Sequence, residues 1–276
     1  MGNASDKTLA RILKLQTGIQ KNIVNAEDNG EKQAGEYADI LQAILEKKEI
    51  HIGAVAVRVV DLSIPSSEVQ IKRWKEANEK GKLGIPEEAF GSILDAPELT
   101  EKDKQDGFIG ACLFYGFGDV NGKADPLASG ENSWEYAKLV HKKNAQSEYV
   151  KFKEKWMRLR PEAKPRETGF FWRKVILGTG DYQGKCVRDS RKMFHEGDTG
   201  MAFEGIQLLA VIIPDYVEQM NGKDKPYIDL ADYEVAPYGD SVFYEAPCLD
   251  LGGGRLGIGS GHVGYVDSRF GSGVLR

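Results

Sequence analysis

The chain has 276 residues, 41% of them apolar and 29% charged, with a formal net charge of −5. That is enough apolar material to build a core without metal or disulfide support, and the acidic balance gives the whole molecule no long-range pull on nucleic acid or anionic lipid. No apolar run approaches the roughly 18 residues of a membrane helix, and Cys112, Cys186 and Cys248 form no C-x-x-C pair, so the expectations are a cytoplasmic protein with no membrane contact, no metal and no cofactor.

In chain order, Leu9, Ile12, Leu13, Ile19 and Ile23 recur at helical spacing behind Ser5, and Tyr37, Leu41, Ile44 and Leu45 repeat the pattern after a break at 25–30. The spacing predicts a helical hairpin over 1–48. Its apolar stripes suit its own domain, a second copy of the chain, or a protein partner. A mixed, mostly helical region is expected over 49–162. It starts with a β-branched strand at 50–64, then helices at 66–80 and 86–94. Residues 108–117 are apolar but interrupted by Gly110 and Gly116, and suit either a strand or a buried helix. A long charged helix is predicted over 131–160, broken near Gln146, with Trp134, Ala137 and Val140, then Tyr149, Phe152 and Trp156, on one face.

Pro161 and Pro165 read as a linker, with a C-terminal domain at 166–276 beyond it. Its expected elements are a strand at 170–177, a turn at 178–184, a helix from Thr199 stopped by Pro214, and short β segments at 227–235, 241–251 and 255–258. The predicted fold class is therefore α+β: a helical N-terminal region followed by a mixed α/β C-terminal domain with short antiparallel strands.

Three motifs come close to a chemistry. Gly259-Ser260-Gly261-His262-Val263-Gly264 spells the dinucleotide fingerprint, but only about a dozen residues follow, without helical periodicity, so no helix N-terminus is there to face a pyrophosphate. Gly178 to Cys186 resembles a phosphate loop, but Thr179 stands where the first glycine belongs and Cys186 replaces the hydroxyl that reaches magnesium. Asp119 to Asp125 alternates oxygen donors like a calcium loop, but its glycine falls at the fourth place and Gly130 holds the twelfth. All three read as turns or turn-rich strands. A nucleophilic thiol requires Cys186 or Cys248 to meet His195 or His262, which no spacing dictates.

Residues 142–174 carry eleven Lys and Arg against four Glu, a net +7 that leaves −12 for the rest of the chain. Lys151, Lys153, Lys155, Arg158, Arg160, Arg173 and Lys174 interleave with Tyr149, Phe152, Trp156, Phe170, Phe171 and Trp172. That is the mixture that neutralises phosphates and stacks on unpaired bases, and equally the two faces of an ordinary amphipathic segment. The runs EGIQLLA at 204–210, DYVEQMNGK at 215–223, KPY at 225–227 and APCL at 246–249 give the C-terminal part a further character. From about residue 170 it resembles a domain of unknown function in uncharacterised bacterial proteins from environmental genomes. The resemblance implies a compact α+β domain and no particular chemistry. The leading expectation is a non-enzymatic structural or interaction protein. A single-stranded nucleic-acid binder using 142–174 and a cysteine-dependent hydrolase or transferase are the alternatives.

Overall fold

The computed structural model describes residues 49–52, 55–58, 64–141, 145–239, 241–252 and 255–276. The chain divides into two compact units, Met1–Asp61 and Leu62–Arg276. In the first, the expected long strand is an antiparallel hairpin, β1 (Glu49–Ile52) with β2 (Val55–Arg58). The helical hairpin expected over 1–48 lies outside the described residues.

The second unit corrects the predicted fold class. Its frame is a ten-stranded mixed sheet, and helices are few. The strands are β3 (Gly110–Gly116), β4 (Ala145–Gln146), β5 (Met157–Leu159), β6 (Gly169–Leu177), β7 (Thr199–Gly200), β8 (Tyr227–Asp229), β9 (Tyr233–Val235), β10 (Glu245–Gly252), β11 (Arg255–His262) and β12 (Phe270–Leu275). The main path runs β3-β6-β12-β8-β10-β11-β4, with β5, β7 and β9 on its flanks. The ladder is not wholly antiparallel: β12 lies parallel to β8, and β11 parallel to β4. Strand β3 pairs with β6 along its whole length, so residues on both sides of 161–165 share one sheet.

The helices are α1 (Ser67–Gly81), α2 (Glu87–Gly91), α3 (Glu101–Gln105), α4 (Pro126–His141), α5 (Val187–Met193) and α6 (Phe203–Gln207), which continues as a π-turn through Leu208–Ile212. Helix α3 starts on a capping box: Asp103 N donates to Thr100 Oγ1 and Thr100 N to Asp103 Oδ2. The α6 segment is buried all round, its polar Glu204 and Gln207 included, and Pro214, lacking an N–H, ends it. Trp74, Trp134, Phe114, Phe203, Leu209 and Tyr216 fill the core between the helices and the sheet.

The long helix expected over 131–160 ends at His141. Beyond it Val150, Phe152 and Met157 are the buried positions, a spacing no single helix face provides, and the segment turns through 147–156 between β4 and β5. Residues 108–117 resolve as a strand. Its glycines mark close approach: a Cβ on Gly116 would lie 1.9 Å from the Glu167 carbonyl oxygen, and one on Gly110 would lie 2.6 Å from Ile64.

Candidate functional site

Register builds the site. Across four neighbouring strands, Ser272 of β12 stands opposite Asp229 of β8, Asp229 opposite Cys248 of β10, and Cys248 opposite Gly259 of β11. Side chains alternate along a strand, so Ala246 and Asp250 share this face with Cys248, while their partners Gly261 and Gly257 share it with Gly259. Three alternate glycines leave β11 bare on one side. A Cβ on Gly261 would meet nothing within 4 Å, and one on Gly257 would press on Asp250 Oδ1 at 2.8 Å. The result is a cleft of about 250 Å³, walled by Lys185 and Val187 at the start of α5, by His262, and by Tyr265, Asp267 and Arg269 of the β11–β12 loop.

Asp229 is 8% exposed, and among the described residues no donor hydrogen-bonds its carboxyl group. Burial pushes it up to about 7, helped by the charge of Asp267 and opposed by Arg191. Beside it Ser272 is fully buried and its hydroxyl has no partner. Burial also raises Asp250, against the pull of Arg269. Asp267 is the opposite case. The Arg269 guanidinium grips it through Nε to Oδ1 at 3.0 Å and Nη2 to Oδ2 at 2.7 Å, and holds it below the usual carboxylate range. One cleft therefore holds a carboxyl that is half neutral near pH 7 and another that stays ionised.

The expected thiol pairs are placed as follows. Cys248 and His262 both line the cleft, three register positions apart, with no hydrogen bond between them. Burial, then Asp229 and Asp250, push the Cys248 thiol well above its ordinary value. The His262 ring accepts Gly264 N–H at Nδ1, 3.1 Å away. Cys186 precedes α5 and donates to Asp189 Oδ2 at 3.3 Å. Of the basic stretch, Lys151 lies 4.0 Å over the Trp156 ring. Arg158 pairs with Glu234 at 3.0 Å and lies over Phe243, and Arg160 pairs with Asp232 at 2.7 Å. Arg173 pairs with Glu167 at 2.9 Å and Lys174 with Asp103 at 2.6 Å, while Lys153 and Lys155 are exposed in the turns before β5. Lys142 and Lys143 lie outside the described residues.

Sequence reasoning missed Asp229, Asp250, Asp267 and Ser272. The available signal was the glycine spacing at 257, 259 and 261, period two rather than the fingerprint's. The Gly259–Gly264 spelling begins on β11 and runs into the turn after it, with no helix following. The near-miss loops at 178–186 and 119–125 are turns, the latter closed by Asp119 Oδ1 accepting the amides of Asn121 and Lys123. Among the described residues no group of three or more His, Cys, Asp or Glu is placed to hold a metal ion, and no helix is long and apolar enough to cross a membrane. No family model, curated protein or solved structure matches the chain.

Proposed function

We propose that this chain is a small-molecule-binding protein whose ligand lies over the Ser272–Asp229–Cys248 row and is engaged by Asp229. The observation that carries the reading is Asp229, a buried carboxyl with no hydrogen-bond donor among the described residues that lines an open cleft, backed in register by the buried, unpartnered hydroxyl of Ser272. Each buried polar group without a partner costs on the order of 1–3 kcal/mol, and a ligand that supplies the missing hydrogen bonds recovers that cost. This keeps the non-enzymatic reading of the sequence and makes the interacting molecule a small one. The elevated Cys248 thiol speaks against a thiolate nucleophile at this site, and the ion pairs of Arg158, Arg160, Arg173 and Lys174 speak against a free cationic surface.

The test is a thermal-shift panel of amines, sugars, nucleosides and carboxylic acids on the wild-type chain and on Asp229→Asn, Ser272→Ala and Gly261→Leu. Compounds that stabilise the wild type and lose that effect in all three variants support the reading. A panel in which nothing stabilises the wild type, or in which the variants respond equally, sinks it.

A second reading is favoured by the opposed protonation of Asp229 and Asp267, the arrangement by which one site supplies both an acid and a base. A bound compound that is chemically converted by the wild type, and not by Asp267→Asn, would establish it by NMR.

A further inference from the structure

The cleft's charges are unequally matched. Arg269 is committed to Asp267 by two hydrogen bonds. Arg191 donates to the carbonyls of Ala231 and Tyr233 and pairs with Glu234 at 3.7 Å. Lys185 is exposed at the rim. Asp229 and Asp250 thus face one open volume, and among the described residues neither has an ion pair: the Asp229 carboxyl is more than nine-tenths buried and takes no hydrogen bond, and the nearby guanidinium groups of Arg191 and Arg269 are bound elsewhere.

We propose that the ligand of this cleft is a small organic dication, a short aliphatic diamine, with one ammonium group on Asp229 and the other on Asp250. The inference rests on the reading of the cleft given above and adds the ligand's charge and length. Asp229 lies opposite Cys248, and Asp250 is two residues further along β10 on the same face. That diagonal places the two side-chain origins about 7–8 Å apart or somewhat less, a span for a short chain bearing a cation at each end. The thiol of Cys248 and the bare strand of Gly259 and Gly261 lie along the span and present no charge to the methylenes. Ammonium is suited by chemistry as well: it donates three hydrogen bonds, and the Asp229 carboxyl that lines the cleft accepts none from the described residues. A metal ion has no comparable donor set here.

Isothermal titration of the full chain with 1,4-diaminobutane, butylamine and 1,4-butanediol at neutral pH tests this. The diamine is expected to bind with one site per chain, the monoamine at least about tenfold more weakly, and the diol more weakly still. Asp250→Asn should reduce the diamine to the monoamine's affinity, and Asp229→Asn should do the same or abolish binding. Gly261→Leu, which fills the open face while keeping both carboxyls, should block all three. Diol binding equal to that of the diamine and blocked by Gly261→Leu would overturn the dication inference and leave the cleft's binding role standing. Failure of any amine to bind, or diamine binding unchanged in Asp229→Asn and Asp250→Asn, would overturn the inference as well. Amine binding unaffected by Gly261→Leu would overturn both readings.

Discussion

Asp229 ties function to stability at a single atom pair. Its carboxyl has an ordinary pKa in the unfolded chain and is pushed up to about 7 by burial in the fold. A raised carboxyl makes its contribution at low pH: stability is intact below about pH 4, is lost progressively as pH rises through the folded value, and stays lost above it. Asp229→Asn, isosteric and never ionised, removes that dependence. At pH 8 the variant is expected to be more stable than the wild type by on the order of 2–4 kcal/mol, with little difference at pH 4. Urea unfolding at the two pH values measures it, and a variant no more stable at pH 8 would contradict the placement of Asp229. This residue was not legible in the sequence, because Asp229 in the run PYIDLADY looks like any strand residue facing water. Register alone shows that it faces a thiol, a hydroxyl and three glycines. The glycines were legible, but as letters of the wrong motif: the eye took 259, 261 and 264, while the strand uses 257, 259 and 261.

At the level of the element, β3 solves the problem of an unpaired sheet edge with side chains. Gln70 Nε2 donates to Ala111 O at 2.9 Å and its Oε1 accepts Leu113 N at 2.8 Å. Trp74 Nε1 donates to Leu113 O at 2.8 Å. Gln207 repeats the double bond at Tyr115, 3.0 Å to N and 2.8 Å to O, and Ser129 Oγ accepts Phe117 N at 2.9 Å. Two glutamines thus act as a missing neighbour strand, and the polar edge is buried without loss. Gln207→Leu keeps the volume and removes both bonds. It should destabilise the fold by about 2–4 kcal/mol by leaving the Tyr115 amide and carbonyl buried and unpaired. Urea unfolding reads that loss, and light scattering at rest should show increased association through the opened edge. The segment that carries Gln207 was legible, as an apolar run stopped by Pro214. The second half of the expected 131–160 helix was not: Tyr149, Phe152 and Trp156 matched helical spacing, but Val150, Phe152 and Met157 are what the core takes.

For the molecule as a whole, a buried ionic cluster fastens the stretch between β5 and β6 to the rest of the unit. Arg166 reaches Glu204 at 2.7 Å and Asp232 at 3.1 Å, donates to Gly200 O at 2.8 Å, and shares Asp232 with Arg160 and the Thr199 hydroxyl. Glu204 and Asp232 are fully buried, and Glu204 also accepts Ala202 N at 2.8 Å. Burial raises the Glu204 carboxyl while Arg166 pulls it down. Removing Arg166 leaves the buried Glu204 without its cation and Asp232 with Arg160 alone, so Arg166→Ala is expected to cost about 3–5 kcal/mol. Limited proteolysis should then cut near 160–168 in the variant and spare the wild type; equal cutting would refute the anchoring. The prolines at 161 and 165 suggested a linker because composition reports local chain stiffness, whereas the buried partners of Arg160 and Arg166, from Thr199 to Asp232, lie 33 to 72 residues away in sequence.

The two ends of the main strand path differ in a way that bears on how the protein can be extended. At β3 every outward amide and carbonyl from Ala111 O to Phe117 N is consumed, while at the other end β11 meets only the two-residue β4, at Gly257 and Ile258. Among the described residues the β11 end of the path is thus covered only in part, and it adjoins the bare glycine face of the cleft. Whatever strand is grafted there, by genetic fusion or by descent, would gain a backbone partner and become a new wall for the bound molecule in one step.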